Sequence, residues 1–335
     1  MQEILNHLYS GKDLTLDESY ALFSHILQGD VNDIVLASIL TALKIKGENC
    51  NELAGASKAM LNNCIKLNKP NYKVGEIVGT GGDGFNTINI STISAILASC
   101  ANLKIAKHGN RAVSSKTGAS DLLSTLGYNV NLTSSKTLDL LSSEGFAFLF
   151  APVYHQAMKY AANVRKILSV RTIFNLLGPL CNPLCPDFQL IGVYDKSLTN
   201  LLAHTMKLNG AKRVMCVCGS GLDEISAFNT TYVTELNDGE LKDYELNPKD
   251  FGINEKLDFN EIIGGDPQEN ANIALNILKG NGTYTQNCQI ACNLAALFYL
   301  SDTTKNLKDG FSYAMGIITS GVGITKLHNI LKQAA

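Results

Sequence analysis

The sequence has almost no surplus of charge and little charge of any kind. Its 335 residues carry 28 basic and 30 acidic side chains, a formal net charge of -2, and charged residues make up 17% of the chain. An ordinary soluble domain carries roughly 25%. Near neutrality excludes a chain that coats nucleic acid or an anionic membrane through bulk charge, so any anion site has to be local. Arginine is the scarce cation: only Arg111, Arg165, Arg171 and Arg213 occur, leaving 24 of the 28 basic residues as lysine. No run approaches the roughly 18 consecutive apolar residues of a membrane span. The start, Met1-Gln2-Glu3-Ile4-Leu5-Asn6-His7, lacks the cationic-then-apolar order of a secretory signal. The expected location is the cytoplasm, with neither membrane nor nucleic acid as partner. Internal repeats and low-complexity segments are also missing.

What is present is core material. Hydrophobic residues make up 45%, which excludes disorder as the main state, and the length allows one large domain or two unequal ones. Nine cysteines form an odd set, and with no export signal they are expected as reduced thiols. Cys181/Cys185, Cys216/Cys218 and Cys288/Cys292 are close pairs, but none has the two-residue spacer of a zinc knuckle. Cys288 and Cys292, four apart among apolar neighbours, read as small core residues of a helix.

Four short helices are expected in the first 65 or so residues. Thr15 and Glu18 form a capping box, and a second helix over about 32–46 ends at Gly47. After Lys69-Pro70 the pattern changes. Strand candidates at Glu76–Val78, Lys104–Ala106, Phe146–Phe150, Gln189–Tyr194 and Arg213–Cys218 alternate with helical stretches, and the tail from about Asp266 is helical again. Such alternation predicts a sheet with helices packed on it.

Three clusters follow strand candidates. Val78-Gly79-Thr80-Gly81-Gly82-Asp83-Gly84 leads through Asn89-Ile90-Ser91-Thr92 into a helix. Glycines let main-chain N–H groups approach an anion, and a helix start adds partial positive charge. The spacing fits neither a Rossmann fingerprint nor a P-loop. A structural turn has the same composition. The second cluster, Lys107 to Asp121, interleaves Lys107, Arg111 and Lys116 with glycines and hydroxyls, suiting a phosphate or pyrophosphate; a solvated basic loop is the plainer alternative. In the third, Gly219-Ser220-Gly221-Leu222-Asp223-Glu224, adjacent carboxylates suit magnesium shared with substrate phosphates, or simply an acidic turn. Together the three point to a magnesium-dependent enzyme acting on a phosphorylated substrate outside the carboxyl ends of a sheet.

Taken in register, Gly79-Thr80-Gly81-Gly82-Asp83, Lys107-His108-Gly109-Asn110-Arg111, Phe150-Ala151-Pro152, Arg171-Thr172-Ile173-Phe174-Asn175 with Gly178-Pro179-Leu180, and Asp223-Glu224 resemble the anthranilate phosphoribosyltransferase family. Ala42-Leu43-Lys44 through Ala56, and Gly265-Asp266 with Glu269-Asn270-Ala271, extend the resemblance over nearly the whole chain. It implies a small all-helical domain and a larger α/β domain whose central, mainly parallel sheet is flanked by helices, as in nucleoside phosphorylases and phosphoribosyltransferases. The helical domain would span 1–70 with a stretch around 155–185 and carry dimerisation and the anthranilate side. The rest, 71–154 and 186–335, would bind phosphoribosyl diphosphate and magnesium. The implied reaction transfers the phosphoribosyl group of 5-phosphoribosyl 1-diphosphate to the amine of anthranilate, giving N-(5-phosphoribosyl)anthranilate and pyrophosphate in tryptophan biosynthesis. By motif, Gly79, Gly82, Asp83, Thr87, Asn89, Ser91, Thr92, Lys107, His108, Gly109, Asn110, Arg111, Ser114 and Ser115 would hold the donor. Gly79, Asn110 and Arg165 would contact anthranilate, and Ser91, Asp223 and Glu224 would bind two magnesium ions per subunit of a homodimer. No residue is expected as a catalytic acid or base, since an aromatic amine is uncharged at neutral pH; His108 and His155 are candidates for polar contacts.

Three positions depart from the family pattern. Ala119-Ser120 stands where Ser-Ala is usual, Gln156 where proline commonly follows the histidine, and Cys218 where histidine is frequent. Two other readings compete: a pyrimidine nucleoside phosphorylase-like enzyme, disfavoured by the sequence after Lys107, and a non-catalytic nucleic-acid-binding relative, disfavoured by Asp223-Glu224 and the net charge.

Overall fold

The computed structural model describes residues 1–112 and 116–334. The amino-terminal helices are α1 (Gln2–Tyr9), α2 (Leu16–Gln28), α3 (Asp33–Lys46) and α4 (Cys50–Asn62). Their ends follow the sequence signals: Thr15 Oγ1 accepts the Glu18 N–H at 3.2 Å while Glu18 returns a carboxylate oxygen to the Thr15 N–H at 2.9 Å. Gly47, at φ 84°, closes α3.

The chain then alternates: β1 (Gly75–Gly79), α5 (Ile90–Cys100), β2 (Ile105–Gly109), α6 (Ala119–Thr125), α7 (Ser134–Glu144) and β3 (Phe146–Phe150). A helical excursion, α8 (Ala151–Tyr154), α9 (Lys159–Leu168) and α10 (Ile173–Leu177), precedes β4 (Phe188–Gly192), α11 (Ser197–Leu208) and β5 (Arg213–Cys218). The hairpin β6 (Thr231–Asn237) and β7 (Glu240–Leu246) leads to α12 (Pro267–Leu278), α13 (Tyr284–Leu300), α14 (Leu307–Thr319) and α15 (Val322–Ala334). Strand order is β3-β2-β1-β4-β5-β6-β7, parallel except at the β5–β6 and β6–β7 pairings. Chain order reverses between β1 and β4, so a crevice forms at their carboxyl ends.

Apolar cores sandwich the sheet, because alternate strand residues face opposite ways. Ile77, Phe146, Phe148, Leu190, Met215 and Val217 pack under α5 and α12–α15. Val78, Ile191, Val214 and Cys216 face the other way, into a core shared with α11, with Leu22, Leu40 and Leu53 of α2–α4, and with Ala161, Val164, Phe174 and Leu177 of α9 and α10. All nine cysteines are free, and Cys288 and Cys292 are buried on α13.

Two expectations need correction. Strand β2 runs to Gly109, so Lys107 and His108 are buried strand residues and the loop starts at Asn110. The β6–β7 hairpin is absent from the strand candidates. Its turn, Asp238-Gly239 at φ 46° and 91°, carries a hairpin signal.

Candidate active site at the strand ends

The site assembles where β1, β2, β4 and β5 end. After β5 the chain turns back through Gly219–Leu222 and lays Asp223 across the ends of β1 and β4. A Cβ on Gly79 would collide with the Asp223 carboxylate, and one on Gly192 with the Asp223 main chain. Asp223 Oδ2 accepts the Gly81 N–H at 2.7 Å. Gly81 and Gly82 hold φ of 68° and 77°, a turn that suits glycine.

Glu224 is buried at 8% exposure and Lys107 at 2%. Lys107 Nζ bridges the Ile77 carbonyl at 2.9 Å and Ser91 Oγ at 3.0 Å. Ser91 and Thr92 lie in the first turn of α5, and Thr92 Oγ1 is buried without a partner among the described residues. Burial, reinforced by the Asp83 charge, raises the Asp223 carboxyl, and burial with the Asp223 charge raises Glu224. Burial lowers the Lys107 ammonium against the pull of Glu224, Glu76 and Asp223. Carboxylates crowded this closely are a poor arrangement alone and a good one around a divalent cation. Magnesium needs only one or two protein carboxylates when substrate phosphates and water complete its shell, so Asp223, Glu224 and the Ser91 hydroxyl fit such an ion.

Other predicted residues group around this centre. Asn89 donates to the Thr117 carbonyl at 3.1 Å and accepts from Asn270 Nδ2 at 2.9 Å, tying the start of α5 to the second loop and to the tail. Thr87 pairs with Ile263. Asn110 and Arg111 are exposed at the loop start, Arg111 lying 5.9 Å from the Phe150 ring centroid. Ser114 and Ser115 lie outside the described residues. His108 Nδ1 donates to the Gly178 carbonyl at 3.2 Å, since a carbonyl only accepts. Its Nε2 is therefore the lone-pair nitrogen, buried and without a partner among the described residues. Burial holds His108 down to about 3 and His155 down to about 4, so both rings are neutral near pH 7.

On the helical side, Arg165 lies in the last turn of α9 with its guanidinium 5.4 Å from the Phe174 ring centroid. Arg171 lies between α9 and α10, 3.9 Å from the Tyr194 ring centroid, and donates to the Gly82 carbonyl. It thus grips the glycine loop, which sequence reading did not assign. Of the altered positions, Gln156 is exposed, Cys218 is buried at the end of β5, and the Ser120 hydroxyl is buried beside Ala119 with no partner among the described residues. A cavity of ≈ 660 Å³ opens at the other end of the sheet, by Phe188 and Arg213. There Lys69, Lys73 and Arg213 are already paired with Asp187, Asp302 and Glu235.

Fold and site together define a two-part glycosyl transferase. A model described as "Glycosyl transferase family, helical bundle domain" matches residues 2–64, and one described as "Glycosyl transferase family, a/b domain" matches 71–324. An anthranilate phosphoribosyltransferase of Psychromonas ingrahamii is 45% identical over 334 residues, covering 100% of this chain and 98% of that protein. The Thermus thermophilus enzyme of that name superposes with a TM-score of 0.93 at 34% identity, with 99% of each chain covered. The Saccharomyces cerevisiae enzyme, solved in complex with PRPP and Mg, gives 0.89 at 32% identity over 99% of this chain and 97% of that one. The chain belongs to the anthranilate phosphoribosyltransferase family. Neither the phosphorylase nor the nucleic-acid-binding alternative is favoured by these likenesses.

Proposed function

We propose that the chain transfers the phosphoribosyl group of 5-phosphoribosyl 1-diphosphate to the amine of anthranilate, releasing pyrophosphate, and that it does so in the cytoplasm as a step of tryptophan biosynthesis. The observation that carries this is the return of Asp223-Glu224 from β5 onto the glycine loop of β1, beside Lys107. Breaking the bond from ribose C1 to the diphosphate builds negative charge on the leaving group. The glycine-loop amides, Asn89, Ser91 and Thr92 at the start of α5, and the stretch from Lys107 to Arg111, with Ser114 and Ser115, hold that group. Asp83 and Thr87 fix the glycine loop around it. Two magnesium ions, one near Ser91 and one near Asp223 and Glu224, would supply counter-charge to the departing pyrophosphate.

Anthranilate is placed on the helical side, its carboxylate against Arg165 and its amine near Gly79 and Asn110. An uncharged aromatic amine needs orientation more than a base. Burial lowers the half-buried Arg165 guanidinium, a cation suited to a carboxylate. The helical unit comprises 1–70 with about 155–185, as the core shared by α2–α4, α9 and α10 supports. It also carries the homodimer contact: Ile34 and Ile45 are 84% and 81% exposed on one stripe of α3, and Ile167 is 72% exposed on α9, which packs against α3. Sedimentation of Ile34→Asp against the parent chain tests that contact.

The activity is tested by following anthranilate fluorescence on adding the chain, 5-phosphoribosyl 1-diphosphate and magnesium. A metal-dependent loss of signal is the expected result; none at all would refute the function.

A further inference from the structure

Strands β1 and β2 are neighbours in the sheet, yet they register at a single pair, Gly75 with Ile105. By contrast β1–β4 and β2–β3 each keep five pairs. Along the opened seam, side chains meet the main-chain groups. The His108 N–H donates to Glu76 Oε1 at 3.0 Å, the Ala106 carbonyl accepts from Asn182 Nδ2 at 2.8 Å, and the Ile77 carbonyl accepts from Lys107 Nζ at 2.9 Å. Glu76 is 0% exposed, and its second oxygen accepts from Gln189 Nε2 at 2.7 Å.

A buried carboxylate is costly unless it is paired and hydrogen-bonded. Closing the ladder as the neighbouring strands do would satisfy the same main-chain groups without that cost. Glu76 belongs to neither loop and is not among the magnesium ligands. What the open seam provides is separation: the glycine loop departs from β1 and the basic loop from β2, and Lys107 enters the gap from the α5 side to reach Ser91. Glu76 enters from the opposite side, among Gln189 and Asn182.

We propose that Glu76 is a positioning residue, which props β1 and β2 apart at their carboxyl ends, sets the spacing between the two donor-binding loops and seats Lys107 between them. The assignment of those loops to phosphoribosyl diphosphate is the reading given above, on which this inference rests. A carboxylate that only stabilises the fold would, when changed, lower thermal stability and disturb both substrates alike. A spacer between the donor loops disturbs the donor selectively.

Glu76→Gln keeps the size but turns one acceptor into a donor that confronts Gln189. The expected result is a KM for 5-phosphoribosyl 1-diphosphate raised roughly tenfold or more, with the anthranilate KM changed less than about threefold. An unchanged donor KM, or equal rises for both substrates, overturns the proposal. If that variant does not fold, Glu76→Asp, which keeps the charge but shortens the prop by one methylene, is expected to show the same split at smaller size; equal effects there also overturn it. Calorimetric titration of both chains with inorganic pyrophosphate and magnesium separates the two levels. Weaker binding by the variant supports the prop even if the parent chain shows no transferase activity. Equal binding by variant and parent refutes the prop, whatever the parent's activity.

Discussion

The carboxylate of Asp223 occupies the space that a Cβ on Gly79 would need. The two residues lie 144 positions apart, and the contact brings the end of β5 onto the end of β1.

Gly79→Ala therefore pushes the acidic pair off the glycine loop. Overpacking of this kind costs about 1–3 kcal/mol of stability, which a protein of this size survives. Transferase activity is expected to fall about 100-fold or more as the charge-stabilising groups lose their placement. Activity within twofold of the parent would show that the contact is incidental.

Removing the metal should stop the reaction, and Glu224→Gln should raise the magnesium concentration needed for half-maximal rate about tenfold or more. A chelator titration of both chains measures this. Indifference of the parent chain to chelator would rule out the assigned ligands.

Arg165→Ala should raise the anthranilate KM roughly 10- to 100-fold, the size of a lost charge-assisted hydrogen bond, and leave the donor KM nearly unchanged. Steady-state kinetics with each substrate varied in turn reads the difference. Equal rises would place Arg165 away from the acceptor.

His155 donates from Nε2 to the Cys181 carbonyl at 2.9 Å and is held neutral by burial, down to about 4. The unfolded ring takes up a proton near pH 6.5, while the native one does so only near 4. Protons thus favour the unfolded chain in that window, and this contribution to stability is lost as pH falls from 6.5 towards 4. Burial raises Glu76 and Asp223, which act in the opposite sense. The difference between parent and variant isolates the histidine. His155→Asn keeps a donor but cannot charge, so its stability relative to the parent should improve by up to about 1.4 kcal/mol per pH unit below 6.5. Urea midpoints at pH 7, 6 and 5 measure it; a constant gap would contradict the assignment.

Much of this was legible from local sequence. The Thr15/Glu18 cap, the glycine loop at a strand end and the acidic pair after β5 are all short-range signals, and each lies where its pattern indicated. What escaped depends on partners far along the chain. Lys107 and His108 read as loop because charged and polar residues seldom end a buried strand; they are tolerated there because Ser91, Ile77, Glu76 and Gly178 receive them. Glu76 alone is an unremarked acid in a short strand, and only Gln189 and His108 give it meaning. Strand β7, with Glu240, Lys242, Asp243 and Glu245 on an edge, has too little apolar alternation to register as a strand. Arg171 could be singled out by its rarity, but its hold on Gly82 could not.

The apolar core that passes from α2–α4, α9 and α10 through α11 to the underside of the sheet bears on how the enzyme can move. A hinge that swung the helical unit away from the α/β part would separate α4 from α11, break the hydrogen bond from Asn209 Nδ2 to Ser57 Oγ, and expose apolar surface of the shared core at about 25 cal/mol for every Å² uncovered. Separating the two parts is thereby costly, and heating should melt both parts of the chain in one cooperative step.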